Sequence, residues 1–322
     1  ASGSGVMADT ALNLHGGRSG QTNLLLQHCV KTPDQRTKFL QLLKMRTALR
    51  RELGLVAGSG SEHQPSSLHA PSLKVLLDGA TVSIELTSSF FEHFLWPLAV
   101  LLYSHVLTTS QRIIVGVSGP AGAGKSVNSG CLSHVINVLH RLYNDGNGCR
   151  DMTEICCVLS MDGYHYTNQY LRSQPLHAGD RLSEKTLKNV KGRPKTFNSC
   201  ALARDLEQLK LQSGDVDVPI YDRKLHDPVP RGRTIKLGNR LVLVEGLFIG
   251  TYAAPEPGSH WKAIQRLLNM KIYLHLSAHT LQQRLLRRKL SQSATLSRQD
   301  VLDHIQRVDL ATHTELVSPL FL

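Results

Sequence analysis

The chain has 322 residues, 41% apolar and 19% charged, with a formal net charge of +12 from 37 Lys and Arg against 25 Asp and Glu. That length and mixture fit one large or two modest folded domains and exclude a fibrous or wholly disordered protein. The positive excess suits acidic partners such as nucleotides, sugar phosphates, RNA or anionic membrane, and does not choose among them.

The first residues, ASGSGVMADT, carry no initiator Met and read as a processed end. DQRTKFLQLLKMRTALRREL, 34–53, reads as one amphipathic helix, with Phe39, Leu42, Leu43, Leu49 and Leu53 at helical spacing between Pro33 and Gly54. A Gly/Ser/Pro/His-rich linker over 56–72 follows. Residues 73–86 then read as two short strands around Asp78-Gly79, a hairpin signal. The apolar run FFEHFLWPLAVLLYSHV, 90–106, is interrupted by Glu92, His93, Pro97 and His105 and is short for a bilayer, so it reads as a buried helix and not as a membrane span.

From 112 onward the texture changes. RIIVGVSG (112–119), EICCVLSMDG (154–163), RLVLVEG (240–246) and MKIYLHLSA (270–278) are nearly continuous apolar strands, with helical segments at 125–143, 199–212, 261–269 and 279–291 between and after them. Alternation of this kind predicts an α/β fold with a mainly parallel sheet covered by helices on both faces. The division expected is an N-terminal extension over 1–85, helical in part, and a larger domain over 86–322. Six cysteines without a C-x-x-C argue against zinc and against a disulfide framework, and no secretory signal is visible. An intracellular setting, cytoplasmic or mitochondrial, is expected.

Gly119, Gly124, Lys125 and Ser126 satisfy G-x-x-x-x-G-K-[ST], the Walker A pattern, between a predicted strand and a predicted helix. Glycines let several backbone N–H groups converge on phosphate oxygens. Gly119, Ala121, Gly122, Ala123, Gly124, Lys125, Ser126 and Val127 therefore form the candidate nucleotide cradle. Lys125 would neutralise the β- and γ-phosphates, Ser126 would offer its hydroxyl to Mg²⁺, and the following helix points its positive end at the anion. Val127 stands where a second hydroxyl residue is common. No N-K-x-D guanine signature occurs, which favours ATP over GTP.

A P-loop alone does not name a reaction. In open α/β sheets ligands bind beyond the carboxyl ends of the strands, and two carboxylates fall there, Asp162 and Glu245. An aspartate so placed can take a proton from an attacking hydroxyl, and both carboxylates are candidate Mg²⁺ groups. Each also has a plainer reading: Asp162 capping the turn at Gly163, Glu245 paired with a nearby cation.

MDGYHYTNQYL, KGRPKTFN, VPIYDRKLHDP and LVLVEGLFIG follow the P-loop in that order. With them, roughly 110–322 resembles the P-loop kinases of the uridine kinase, phosphoribulokinase and bacterial pantothenate kinase group. The closest likeness is to its branch of bacterial and fungal uridine kinase-like proteins. The resemblance implies ATP- and Mg²⁺-dependent transfer to an alcohol of a small molecule. It makes Asp162 the general base, Glu245 a metal-site carboxylate, and Tyr221 and His226 acceptor contacts. It makes LQQRLLRRKL, 281–290, a lid over the phosphates, with Arg284 and Arg288, one helical turn apart, as its catalytic cations. RVDLATHTELVSPLFL resembles the group's last helix, without the strand expected after it.

The match departs at Phe197-Asn198, where uridine-cytidine kinases carry an aspartate that helps hold the ribose hydroxyls. Asn198 is a candidate acceptor contact or, alternatively, an N-cap for the helix from Ser199. Arg223 and Lys224, between Tyr221 and His226, point to an anionic acceptor. The competing expectation is a P-loop protein with weak or lost kinase activity that serves as a scaffold or assembly factor in a ribonucleoprotein, drawn from the +12 charge, the N-terminal extension, Val127 and Asn198.

Overall fold

The computed structural model describes residues 32–55, 71–77, 80–149, 153–176, 186–250, 258–292 and 297–317. Residues 56–70 of the linker expected over 56–72 and the Asp78-Gly79 turn lie outside them, as do Cys29 and the chain before Thr32, while Ser72 of that linker opens a strand.

The segment expected as one helix is two, α1 (Pro33–Lys44) and α2 (Arg46–Glu52), separated at Met45. Thr32 opens α1 with a capping box: its hydroxyl accepts from the Gln35 N–H at 3.3 Å, while its own N–H donates to Gln35 Oε1 at 3.1 Å. The break has a packing cause. It lets α1 lie on α3 (Ser88–Thr108) while α2 turns onto the long helix that follows the P-loop. Phe39, Leu42 and Leu49 are all fully buried as a result. Strands β1 (Ser72–Leu77) and β2 (Ala80–Glu85) pair antiparallel, as the hairpin signal predicts. Helix α3 is long and apolar enough to cross a bilayer, but 67% of that apolar window is buried inside the protein. Its Glu92 receives the guanidinium groups of Arg46 and Arg50.

The chain then runs β3 (Ile113–Ser118), α4 (Lys125–Gly146), β4 (Cys156–Ser160), α5 (Asn168–Ser173), α6 (Ser199–Leu211), β5 (Val216–Asp222), β6 (Asp227–Ile235), β7 (Leu241–Gly246), α7 (Trp261–Leu267), β8 (Met270–Tyr273) and α8 (Ala278–Gln292). Helices α9 (Arg298–His304) and α10 (Ala311–Val317) are joined through a π-helical segment, Ile305–Leu310. Four strands form a parallel sheet in the order β4-β7-β3-β8, so the P-loop strand is central.

Alternation along each strand divides the interior. Ile113, Val115, Cys156, Leu241 and Leu243 face a core shared with α3, α4, the N-terminal helices and β1. Ile114, Cys157, Leu159, Val242 and Val244 face a second core with α6, α7 and the β5–β6 hairpin. A sheet apolar on both faces must be covered twice, which is why these strands read as unbroken apolar runs. The first core crosses residue 85 without a break. Arg112, 1% exposed, ties the far edge together by donating to the carbonyls of Leu209, Lys236, Leu237 and Asn239.

Candidate active site at the carboxyl ends of the strands

The loop after β3 has the backbone that a phosphate cradle needs. Gly119 has φ 149° and Gly124, the residue before α4, has φ 86°. A side chain on Gly119 would also stand 2.6 Å from the Leu274 carbonyl oxygen. Gly124 puts Lys125 at the first position of α4, where unpaired N–H groups and the helix dipole point into the loop. Lys125 Nζ donates to the Pro120 carbonyl at 3.0 Å. Burial pushes its ammonium below the ordinary value, the charges of Glu245 and Asp162 oppose that, and Arg288 adds to it. One cation is therefore within the field of both candidate carboxylates and of a lid arginine. Val127 turns its side chain toward the first core, so its lack of a hydroxyl is a packing choice.

Sheet register assembles the carboxylates. Glu245 stands beside Ser160 on one side and Val117 on the other. Only 3% exposed, it accepts from Ser126 Oγ at 3.2 Å and from Ser160 Oγ at 2.5 Å through the same oxygen. Ser160 Oγ in turn accepts from the Asp162 N–H at 3.3 Å, opening the 3₁₀ turn Met161–Tyr164 that carries Asp162. Two hydroxyls, a buried carboxylate and a second, half-exposed carboxylate thus meet beside Lys125. Such hard oxygen donors suit Mg²⁺, which takes one or two carboxylates and completes its octahedron with phosphates and water.

The β5–β6 hairpin is docked against that turn. Gly163 permits it: a Cβ there would lie 2.5 Å from the Pro219 carbonyl oxygen. Tyr221, on β5, has its ring 5.8 Å from that of His165, which stacks on Phe197 at 3.8 Å. Lys191 Nζ lies 5.0 Å from the Tyr221 ring centroid and donates to its hydroxyl at 3.2 Å. His226 is exposed, in a left-handed conformation with φ 53°, and turns its carbonyl to Lys191 Nζ and Asn168 Nδ2, both at 2.9 Å. Arg223 is exposed at the hairpin turn. Asn198 caps α6: Oδ1 accepts from the Ala201 N–H at 3.0 Å, which commits that oxygen to the helix.

The segment expected to form a lid is α8. Its Leu281 and Leu285 are fully buried and form a small core with Val301 and Ile305. A Cβ on Gly122 would touch Leu285 at 3.2 Å, so α8 rests directly on the P-loop. Arg284 and Arg288 are exposed and share the helical face of those leucines. Of the two, Arg288 is the one whose charge reaches Lys125. Sequence reasoning missed Ser160, His165, Asn168, Lys188, Lys191 and Asp227. Lys191 sits in KGRPKTFN, three residues after Lys188, and nothing in that spacing alone ties the pair to the site.

A central parallel sheet, a glycine-rich loop running into α4 and carboxylates at neighbouring strand ends define a P-loop kinase fold. Residues 114–321 match the model of the Phosphoribulokinase / Uridine kinase family, and the chain belongs to that family. It is 31% identical over 138 residues to pantothenate kinase of Streptococcus pneumoniae, a match covering 43% of this chain and 38% of that enzyme's length. It is 24% identical over 226 residues to the protein YggC of Escherichia coli, covering 69% of this chain and 81% of YggC. Among solved structures it resembles a proposed fructose transport system kinase of Silicibacter sp. TM1040, with TM-score 0.53 and 25% identity over 69% of this chain and 94% of the other. YFH7 of Saccharomyces cerevisiae shares the fold, with TM-score 0.53 at 17% identity over 65% of this chain and 89% of its own.

Proposed function

We propose that the protein is an ATP- and Mg²⁺-dependent kinase that transfers the γ-phosphoryl group to a hydroxyl of a small molecule. The observation that carries this reading is the meeting of Lys125, Ser126, Glu245 and Asp162 at adjoining strand ends, under a helix with two arginines. The P-loop amides and Lys125 bind the nucleotide phosphates. Ser126 and Glu245 would hold Mg²⁺, which would supply positive charge against the nucleotide phosphates. Asp162 accepts the proton of the acceptor hydroxyl as its oxygen bonds to phosphorus and the bond to the departing ADP breaks. Arg288, with Arg284 beside it, balances charge on the transferring group. Tyr221 and the hairpin border the acceptor. Among the described residues no feature favours the assembly-factor alternative over this one.

Purified protein with Mg-ATP, offered nucleosides, pantothenate, glycerate, sugars and vitamin precursors, will release ADP in step with phosphorylation of at least one of them. Acceptor-independent ADP release alone would point to an ATPase, and no ADP release at all would remove the kinase reading.

A further inference from the structure

Lys188 and Lys191 come from a segment that lines the acceptor side of the site. Both ammonium groups donate to one neutral oxygen, Asn168 Oδ1, at 2.5 and 2.9 Å. They therefore stand within a few ångströms of each other, where like charges repel strongly unless an anion lies between them. Among the described residues, the carboxylate facing both is Asp227, with Asp162 acting on Lys191 as well. Asp227 Oδ1 is 4.0 Å from Lys191 Nζ, and the same oxygen already accepts the Asn168 N–H at 2.7 Å. Arg172 adds a third positive charge within reach of Lys188. Burial lowers both ammoniums first, and the neighbouring cations lower them further, Lys188 acting on Lys191 and Arg172 on Lys188. Lys191 also lies within the field of Asp162 and against the face of Tyr221, so the cluster borders the place where the acceptor hydroxyl must meet its base. An ammonium has three N–H donors, and Lys188 directs one of them to Asn168.

We infer that Lys188 and Lys191 bind an oxyanion carried by the acceptor, a carboxylate or a phosphomonoester, and set the preference for anionic over neutral hydroxyl compounds. This rests on the kinase reading above and assigns the charge of its substrate. A charge-assisted hydrogen bond in a partly dehydrated site discriminates by about tenfold or more against a partner that lacks the charge. Lys191 also tethers the 3₁₀ turn Leu187–Val190 to the hairpin, and Lys188 ties it to α5, so the test must separate recognition from scaffolding.

Matched compounds do so: glycerol, glycerate and glycerol phosphate, and panthenol with pantothenate. The wild type should show a KM at least about tenfold lower for an anionic member than for its neutral partner. Lys188→Gln and Lys191→Gln should erase that ratio by raising only the anionic KM, and Lys191→Arg should keep it. The member that carries the ratio tells carboxylate from phosphomonoester. Equal use of charged and neutral members, or variants that weaken both alike, would overturn the inference. Calorimetry with malonate and with inorganic phosphate gives a readout free of turnover. In a Lys125→Ala background at least one anion should still bind, and adding Lys188→Gln with Lys191→Gln should abolish it. Binding that vanishes with Lys125→Ala alone, or no binding of either anion, would also overturn it. Anion binding at the two lysines with no phosphoryl transfer to any compound would instead remove the kinase reading.

Discussion

Asp162 and Glu245 were legible from sequence because each ends a continuous apolar strand, and strand ends in a parallel sheet gather at one edge. Of the two hydroxyls that hold Glu245, that of Ser126 belongs to the Walker A pattern, but that of Ser160 was not legible. Ser160 is an ordinary strand residue until register sets it beside Glu245. Lys188 and Lys191 stand three residues apart at one 3₁₀ turn, but nothing local tells that Asn168, about twenty residues earlier, meets them both. His165 offers a test at this scale. Burial, and then the charge of Lys191, holds its imidazole down from the ordinary 6.5 to about 3. Between those values the unfolded chain binds a proton that the folded one refuses, so this group's contribution to stability is complete above the unfolded value. It drains away as pH falls through the window. Urea unfolding at a series of pH values should show the wild type losing a few kcal/mol more than His165→Gln by about pH 4. Parallel profiles would show that His165 is protonated or exposed in the fold.

At the scale of elements, the four sheet strands, α4 and the β1–β2 hairpin followed from apolar runs and turn residues, and the P-loop from local glycine spacing, whereas the β5–β6 hairpin was not read. The break at Met45 did not follow either, since the apolar spacing of 34–53 is helical throughout and the bend answers two different packing partners. The lid leucines recur at helical spacing, but only the fold shows that they rest on Gly122. Likewise Gly163 reads as a turn glycine and is in fact the seat of the hairpin. Gly163→Ala should push β5 away from the turn that carries Asp162. A displacement of about 1 Å at a reacting centre costs up to about a hundredfold in rate. The acceptor KM and kcat should suffer by about tenfold or more while the KM for ATP stays within about twofold. An equal loss on the ATP side would mean that the glycine serves the sheet as a whole.

For the whole molecule, the α/β fold was expected and found, but the N-terminal segment belongs to its interior to a degree that the sequence did not reveal. Phe39, Leu42 and Leu49 share one core with α3, α4 and the sheet. Phe39→Ala should cost about 3–5 kcal/mol and lower the midpoint of a single unfolding transition. A separate early transition would mark residues 33–55 as an independent unit. Part of the chain's positive excess is gathered around the site, in Lys125, Lys188, Lys191, Arg172 and Arg288. The proposed phosphoryl transfer depends on Asp162 as the base. Its most direct test is Asp162→Asn, with turnover of an accepted substrate and ATP affinity measured on the same preparation. Turnover should fall by about a thousandfold or more with ATP affinity within about threefold of the wild type. Undiminished turnover in that variant would contradict the account.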